Sequence, residues 1–382
     1  LLGGRAKTAA IRNRQKRLKL LKIEINAWHA LIVANVAIHR TSELPQDAVH
    51  HIQKERFMSF SKRSIPFAAA VALAVAGALP AHAQSWPEKG ITIVVPTAAG
   101  GANDAMARII GQGLSARLGK PVIVENKAGA NGAIASEFVA RAAPDGYTIM
   151  FGYIATHGIN PALQKLRYDP VADFEPIGMV AASPTVLVVN NAVPAKNVKE
   201  LVQLIKAKPD SFSYATAGNG TAPHIAGELF KLSIGLDVVG VPYKGSAPAV
   251  VDTIGGTTQY MFPSLFTGYP QVKGGKLRAL GIAGEKRSRV MPELPTLTEQ
   301  GVPNVNLSQW YAMFAPAKTP KAVIDRLNME MNAVLNDKAT EKKIEDQGAE
   351  VETGTPDQLK TLVQKEVTHW KSVVTAAKIK ID

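Results

Sequence analysis

From Gln84 onward the chain repeats one pattern: a short apolar run, a glycine-bearing turn, then a stretch with helical spacing. Ile91–Val95 (ITIVV) is apolar throughout, as in a strand buried on both faces. Residues 96–103 (PTAAGGAN) form the turn, and residues 104–118 have amphipathic helical spacing. The pattern recurs at 121–124 (PVIV), 126–132 (NKAGANG) and 133–142, and 147–153 is a further strand after the turn Pro144-Asp145-Gly146. A second series begins after Pro184. Its strands are 186–190, 212–216 and 238–242; its helices are Val198–Ala207, 223–234, and one whose first turn holds Pro248, where proline is tolerated. Residues 260–262 and 277–282 add strands, and 320–335 and 359–375 add long helices.

Alternating strands and helices predict an α/β protein with a mostly parallel sheet covered on both faces. Extended segments at 188–195 and 307–316 would join the two series. The expectation is therefore two lobes linked by two crossing strands, a hinge architecture. One lobe would comprise 84–188 with 308–382, the other 189–307.

Charge changes the picture only when it is placed. The net charge is +13, but residues 1–57 hold eleven Lys/Arg against four Asp/Glu, and Lys62 and Arg63 follow. Residues 64–382 carry only +4, so the folded part lacks the excess of a nucleic-acid binder. Residues 58–64 (MSFSKRS) form a short basic region, 65–79 an apolar one, and Ala81-His82-Ala83 a small-x-small cleavage site. Residues 58–83 thus read as a signal peptide, with Gln84 the first mature residue in a bacterial periplasm. Residues 1–57 are expected to be a non-structural extension, translated from a start placed too early. A rival export signal at 25–38 and a basic nucleic-acid arm rank behind that reading. The chain has no cysteine, which excludes disulfides, thiol catalysis, cysteine metal sites and a lipid-bearing cysteine.

Three strand-to-helix turns are rich in small residues: Ala98-Ala99-Gly100-Gly101, Ala217-Gly218-Asn219-Gly220-Thr221 and Tyr243-Lys244-Gly245-Ser246. Each sets backbone N–H groups at the positive end of a helix, where an anion is favoured. No G-x-x-x-x-G-K-[ST] follows Gln84, so a carboxylate fits better than a nucleotide. Thr97, Thr156, Asn219, Thr221 and Tyr243 could supply neutral hydrogen bonds, or could serve only the turns. His224 and His157 could each touch a ligand or be structural, and Asp104 reads as a helix first-turn residue paired with Arg108. No nucleophile-and-base set or metal-ligand spacing stands out, so no catalytic residue, metal or cofactor is expected.

The ordered stretches VPTAAGGANDAMAR (95–108), VENKAGANG (124–132), APDGY (143–147), GNGTAPHIAGE (218–228), VPYKGSA (241–247), GGKLRAL (274–280), MPELPTLTEQG (291–301) and APAKTP (315–320) resemble the Bug family. These are extracytoplasmic solute receptors of tripartite tricarboxylate transporters. The resemblance spans essentially the whole mature chain. It implies a type II periplasmic binding protein fold closing on a small carboxylate, with permease subunits as membrane partners, a monomeric state and no chemistry. It also implies ligand contacts from Ala98, Gly100, Gly101 and Thr156 on one lobe, and from Gly218, Gly220, Thr221 and Tyr243 on the other. Asn219, His224 and Gly245 adjoin them. Thr97 stands where many relatives carry an aromatic residue. Pro263 stands where many carry an acid, which leaves a ligand amine without that partner. A sensor feeding a signalling kinase, or an α/β enzyme acting on carboxylates, are the alternatives.

Overall fold

The computed structural model describes residues 86–379. The expected extension and signal segment, 1–83, lie outside the described residues. Gln84–Asp382 forms one compact unit. It begins β1 (Ile91–Val95), α1 (Ala102–Leu118), β2 (Val122–Asn126), α2 (Ala133–Ala140), β3 (Thr148–Tyr153), α3 (Asn160–Leu163) and β4 (Phe174–Asn190). Then follow α4 (Val198–Ala207), β5 (Ser213–Thr216), α5 (Ala222–Ile234), β6 (Val239–Pro242), α6 (Ser246–Gly255), β7 (Tyr260–Met261), α7 (Leu265–Lys273) and β8 (Leu277–Ala283). The chain ends with β9 (Ser308–Pro316), α8 (Lys321–Leu335), α9 (Lys338–Glu345), β10 (Glu350–Val351) and α10 (Pro356–Ala377).

The strands lie in the order β2-β1-β3-β9-β4-β7-β5-β6, with β8 and β10 also paired to β4. The expected mostly parallel sheet is corrected here to a mixed one. Its ends are parallel, β2-β1-β3 on one side and β7-β5-β6 on the other. Its middle is antiparallel, because β9 and β4 run back between the two βα series. β4 is paired with β9 up to Pro184↔Ser308 and with β8 from Thr185↔Ala283, so one long strand serves both halves.

That strand is longer than its sequence pattern suggests. Pro176, Gly178 and Pro184 break the apolar run, and only 186–190 read as strand. The register shifts between Pro176 and Gly178 and between Met179 and Ala181, and these irregularities absorb the breakers. β1 is buried at Ile91, Ile93, Val94 and Val95, as a continuous apolar run requires. Trp310 on β9 and Trp370 on α10 are both buried, and both indole N–H groups donate to Glu366 Oε2 at 3.0 and 2.9 Å. That shared acceptor ties the C-terminal helix to a central strand.

Candidate functional site

A cleft of about 620 Å³ opens at the carboxyl ends of β1 and β5, between the two parallel ends of the sheet. This is where open α/β sheets place ligands. Of the helices that begin on its wall, three follow the small-residue turns: α1 after Gly101, α5 after Thr221 and α6 after Gly245. None of the three has a side-chain N-cap. Asn197, Asp337 and Thr355 cap α4, α9 and α10, Thr355 within a full capping box, whereas α2, α3, α7 and α8 also start without a side-chain cap. First-turn amides need partners, and at the cleft those partners must come from a ligand or solvent.

On the β1 side, Thr97, Ala98 and Gly101 line the cleft. Thr97 Oγ1 is buried without a hydrogen-bond partner among the described residues, and so is Asn103 Nδ2. Asn103 is 5% exposed and lies in the first turn of α1. It was not singled out from sequence, because an Asn beside a glycine turn reads as a turn or cap residue. Its free amide beside an uncapped helix end is visible only in three dimensions.

The loop is held from behind. Gly100 does not line the cleft: its N–H donates to Asp104 Oδ2 at 3.0 Å, and its φ of 84° suits glycine. Arg108 pairs with Asp104 at 2.8 Å in the i,i+4 arrangement, and Asn126 Nδ2 donates to the Thr97 carbonyl at 3.0 Å. Burial alone would raise the Asp104 pKa, but hydrogen bonds from Arg108, the Gly100 N–H and Asn126 outweigh it and hold the carboxyl below its usual value. The acid therefore stays ionised and neutralised by Arg108, serving the loop rather than the ligand.

On the β5–β6 side, Gly218, Asn219, Thr221, Tyr243 and Gly245 line the cleft. Their side-chain hydroxyls are already engaged. Thr221 Oγ1 donates to the Gly218 carbonyl at 2.6 Å, and the Tyr243 hydroxyl donates to Asp252 at 2.7 Å. Gly220 and His224 sit behind the wall, where the Gly220 N–H donates to His224 Nδ1 at 3.2 Å. Burial lowers the His224 pKa, so the ring is a neutral acceptor that shapes the loop.

Thr156 also lies behind the wall. It is buried, its Oγ1 donates to the Tyr153 carbonyl at 3.0 Å, and it sits 2.9 Å from His157 Nδ1. His157 stacks on Phe314 with ring centroids 3.8 Å apart, and burial lowers its pKa to about 3. Pro263 is packed away from the cleft, its carbonyl accepting from the Val186 N–H at 2.9 Å. The residue that does reach the cleft is the next one, Ser264.

Two further features complete the site. Asn131, at φ 50°, donates to the Gly220 carbonyl across the cleft and to Asn160 Oδ1, both at 2.7 Å. Tyr153 donates to Asn131 Oδ1 at 3.2 Å. This network joins the two walls through protein atoms alone. Among the described lining side chains, Lys244 is the one charged group, and no acid is present.

A two-lobed α/β solute-binding protein is the class that this fold and cleft define. The chain belongs to the tripartite tricarboxylate transporter receptor family, whose model matches residues 106–379. It is 35% identical over 314 residues to Protein BugT of Bordetella pertussis, covering 81% of this chain and 96% of that protein. The structure of R. palustris Rpa4515 with adipate is 32% identical at a TM-score of 0.74, covering 77% of this chain and 99% of that one. MatC from Rhodopseudomonas palustris with bound malate is 34% identical at 0.72, covering 76% and 100%. The expected family and the type II periplasmic binding fold are both borne out. Members of the family are substrate-binding receptors of the periplasm. Among the described residues no helix is long and apolar enough to cross a membrane.

Proposed function

We propose that this chain is an exported periplasmic receptor that captures a small organic carboxylate for the permease subunits of a tripartite-type transporter, and does no chemistry on it. The observation that carries this reading is the convergence of three uncapped helix starts on one cleft with the buried, unpartnered Thr97 Oγ1 and Asn103 Nδ2. Such donors suit an accept-only carboxylate. The adipate and malate of the two R. palustris relatives support the ligand class.

In this reading the ligand touches Thr97, Ala98 and Gly101 on one lobe and Gly218, Asn219, Thr221, Tyr243 and Gly245 on the other. Asn103 joins the first group. The lobes divide as 84–188 with 308–382, and 189–307. The exchange of β4 partners at Pro184/Thr185 and the start of β9 at Ser308 support crossings near these places. Export uses the signal at 58–83, and the receptor acts as a monomer.

A thermal-shift screen of the purified protein against mono-, di- and tricarboxylates, acidic amino acids and aromatic acids tests the reading. Ligand at ~100 times its dissociation constant adds about 2.7 kcal/mol, and each kcal/mol raises the midpoint by roughly 2–4 °C. A rise with one class supports the receptor. Protein unfolded and refolded to strip bound ligand, with no rise for any class, overturns it.

A further inference from the structure

The cleft has a second polar end that the helix starts do not explain. Ser264, Thr267, Gln309 and Tyr311 line it at its base, where β9 and the start of α7 meet. Gln309 and Tyr311 are two apart on β9 and so share a sheet face, with Tyr153 directly across from Tyr311 in register. Ser264, Gln309 and Tyr311 are 3%, 7% and 0% exposed. Ser264 and Thr267 hydroxyls are 3.2 Å apart. The Tyr311 hydroxyl has no hydrogen-bond partner among the described residues, although the Ser264 hydroxyl is a neighbour. Burial pushes its pKa up to about 12, an effect Ser264 moderates, so the hydroxyl keeps its proton throughout the neutral range. An unpaired buried hydroxyl is costly, and a site built to pair with a ligand explains why it persists.

This end differs from the helix-start end in the charge it can bear. α7 begins at the base, but its early amide Phe266 N–H is already taken by Ser183 Oγ at 2.9 Å. Ser183 is itself buried and donates onward to the Gly348 carbonyl at 3.1 Å. No cationic side chain is among the base residues. A carboxylate buried there would be uncompensated. A hydroxyl group, which both donates and accepts, matches three hydroxyls and one amide.

We propose that Ser264, Thr267, Gln309 and Tyr311 form a subsite for an uncharged hydroxyl on the far end of the ligand, with Tyr311 the specificity-determining residue, so that hydroxy-monocarboxylates are the class this receptor takes. The proposal rests on the carboxylate-receptor reading above. It sets the chain apart from relatives solved with dicarboxylates, and it excludes amino acids because no lining acid meets an amine.

Calorimetric titration with skeleton-matched sets tests it: butanoate, 4-hydroxybutanoate and succinate; hexanoate, 6-hydroxyhexanoate and adipate; benzoate, 4-hydroxybenzoate and terephthalate. In the set that fits the cleft, the hydroxy acid is expected to bind at least tenfold tighter than both its parent and its diacid. Tyr311→Phe should erase that advantage while changing the parent acid's affinity less than about twofold. Thr267→Val gives the same comparison should Tyr311→Phe fail to fold. A diacid binding tightest, a hydroxy acid no better than its parent, or a variant that weakens all three alike overturns the subsite while leaving the receptor intact. No binding by any member of any set overturns the carboxylate receptor itself, and the subsite with it.

Discussion

The two walls of the cleft are built from the same strand–turn–helix unit, yet they offer a ligand different things. The β1 wall presents unpartnered side-chain groups, Thr97 Oγ1 and Asn103 Nδ2, on a loop braced by Asp104, Arg108 and Asn126. Its helix α1 has no proline in the first turn and keeps all its early amides. The β5–β6 wall has spent the Thr221 and Tyr243 hydroxyls internally, leaving that of Ser246, and Pro223 and Pro248 each remove one early amide from α5 and α6. In the proposed reading the first wall recognises the carboxylate, and the second covers it. In a hinged receptor, differential affinity for the closed form sets how far ligand shifts the lobes.

The largest contrast between the walls concerns acid stability. His157, behind the β1 wall, is fully buried with a pKa lowered to about 3, whereas His224 behind the other wall is half-buried. Between pH about 6.5 and about 3 the unfolded His157 binds a proton that the folded one refuses. Stability therefore rises with pH across that window, by about 1.4 kcal/mol per unit at most, and falls as acid is added. Denaturant melts of His157→Phe, which retains an aromatic ring against Phe314, should show a flatter pH dependence than the parent. An unchanged slope would remove His157 as the source.

Affinity separates the walls next. Thr97→Val should weaken carboxylate binding about tenfold, because it removes a hydrogen bond to a charged group. Thr221→Val should instead cost about 1 kcal/mol of stability, since its hydroxyl serves the Gly218 carbonyl. Calorimetry and melting of both variants check the difference, and equal affinity losses would break the division of labour.

The smallest effect belongs to the bridge between the walls. Asn131→Ala removes the 2.7 Å link to Gly220 and should lower affinity only a few-fold, with scattering from the unliganded protein shifted toward an open form. Unchanged scattering and affinity would show that the bridge does not hold the lobes.

What could be read from sequence follows from how local each signal is. β1, the glycine turns and α4 were visible because each is written in consecutive residues. The first part of β4 was hidden by Pro176 and Gly178, which only its irregular pairing with β9 makes tolerable. α7 was hidden by Gly268 and the internal Pro270. At the site, the glycine loops announced the helix starts. Which hydroxyls remain free could not be read, because Thr97 and Thr221 look alike in sequence and differ only in what lies beside them. The base of the cleft was illegible for a similar reason. Ser264 immediately precedes α7 and Thr267 lies in its first turn, Gln309 and Tyr311 come from β9, and more than forty residues separate the pairs.

The most direct test of the account is a paired titration of Asn103→Leu and Asn219→Ala with whichever carboxylate gives the largest thermal shift. Asn103 is a buried amide on the recognising wall, and Asn219 is an exposed one on the covering wall. The account predicts a loss of roughly 10- to 100-fold for Asn103→Leu, and less than about threefold for Asn219→Ala, with both variants folded. A larger loss from Asn219→Ala, or none from Asn103→Leu, would contradict it.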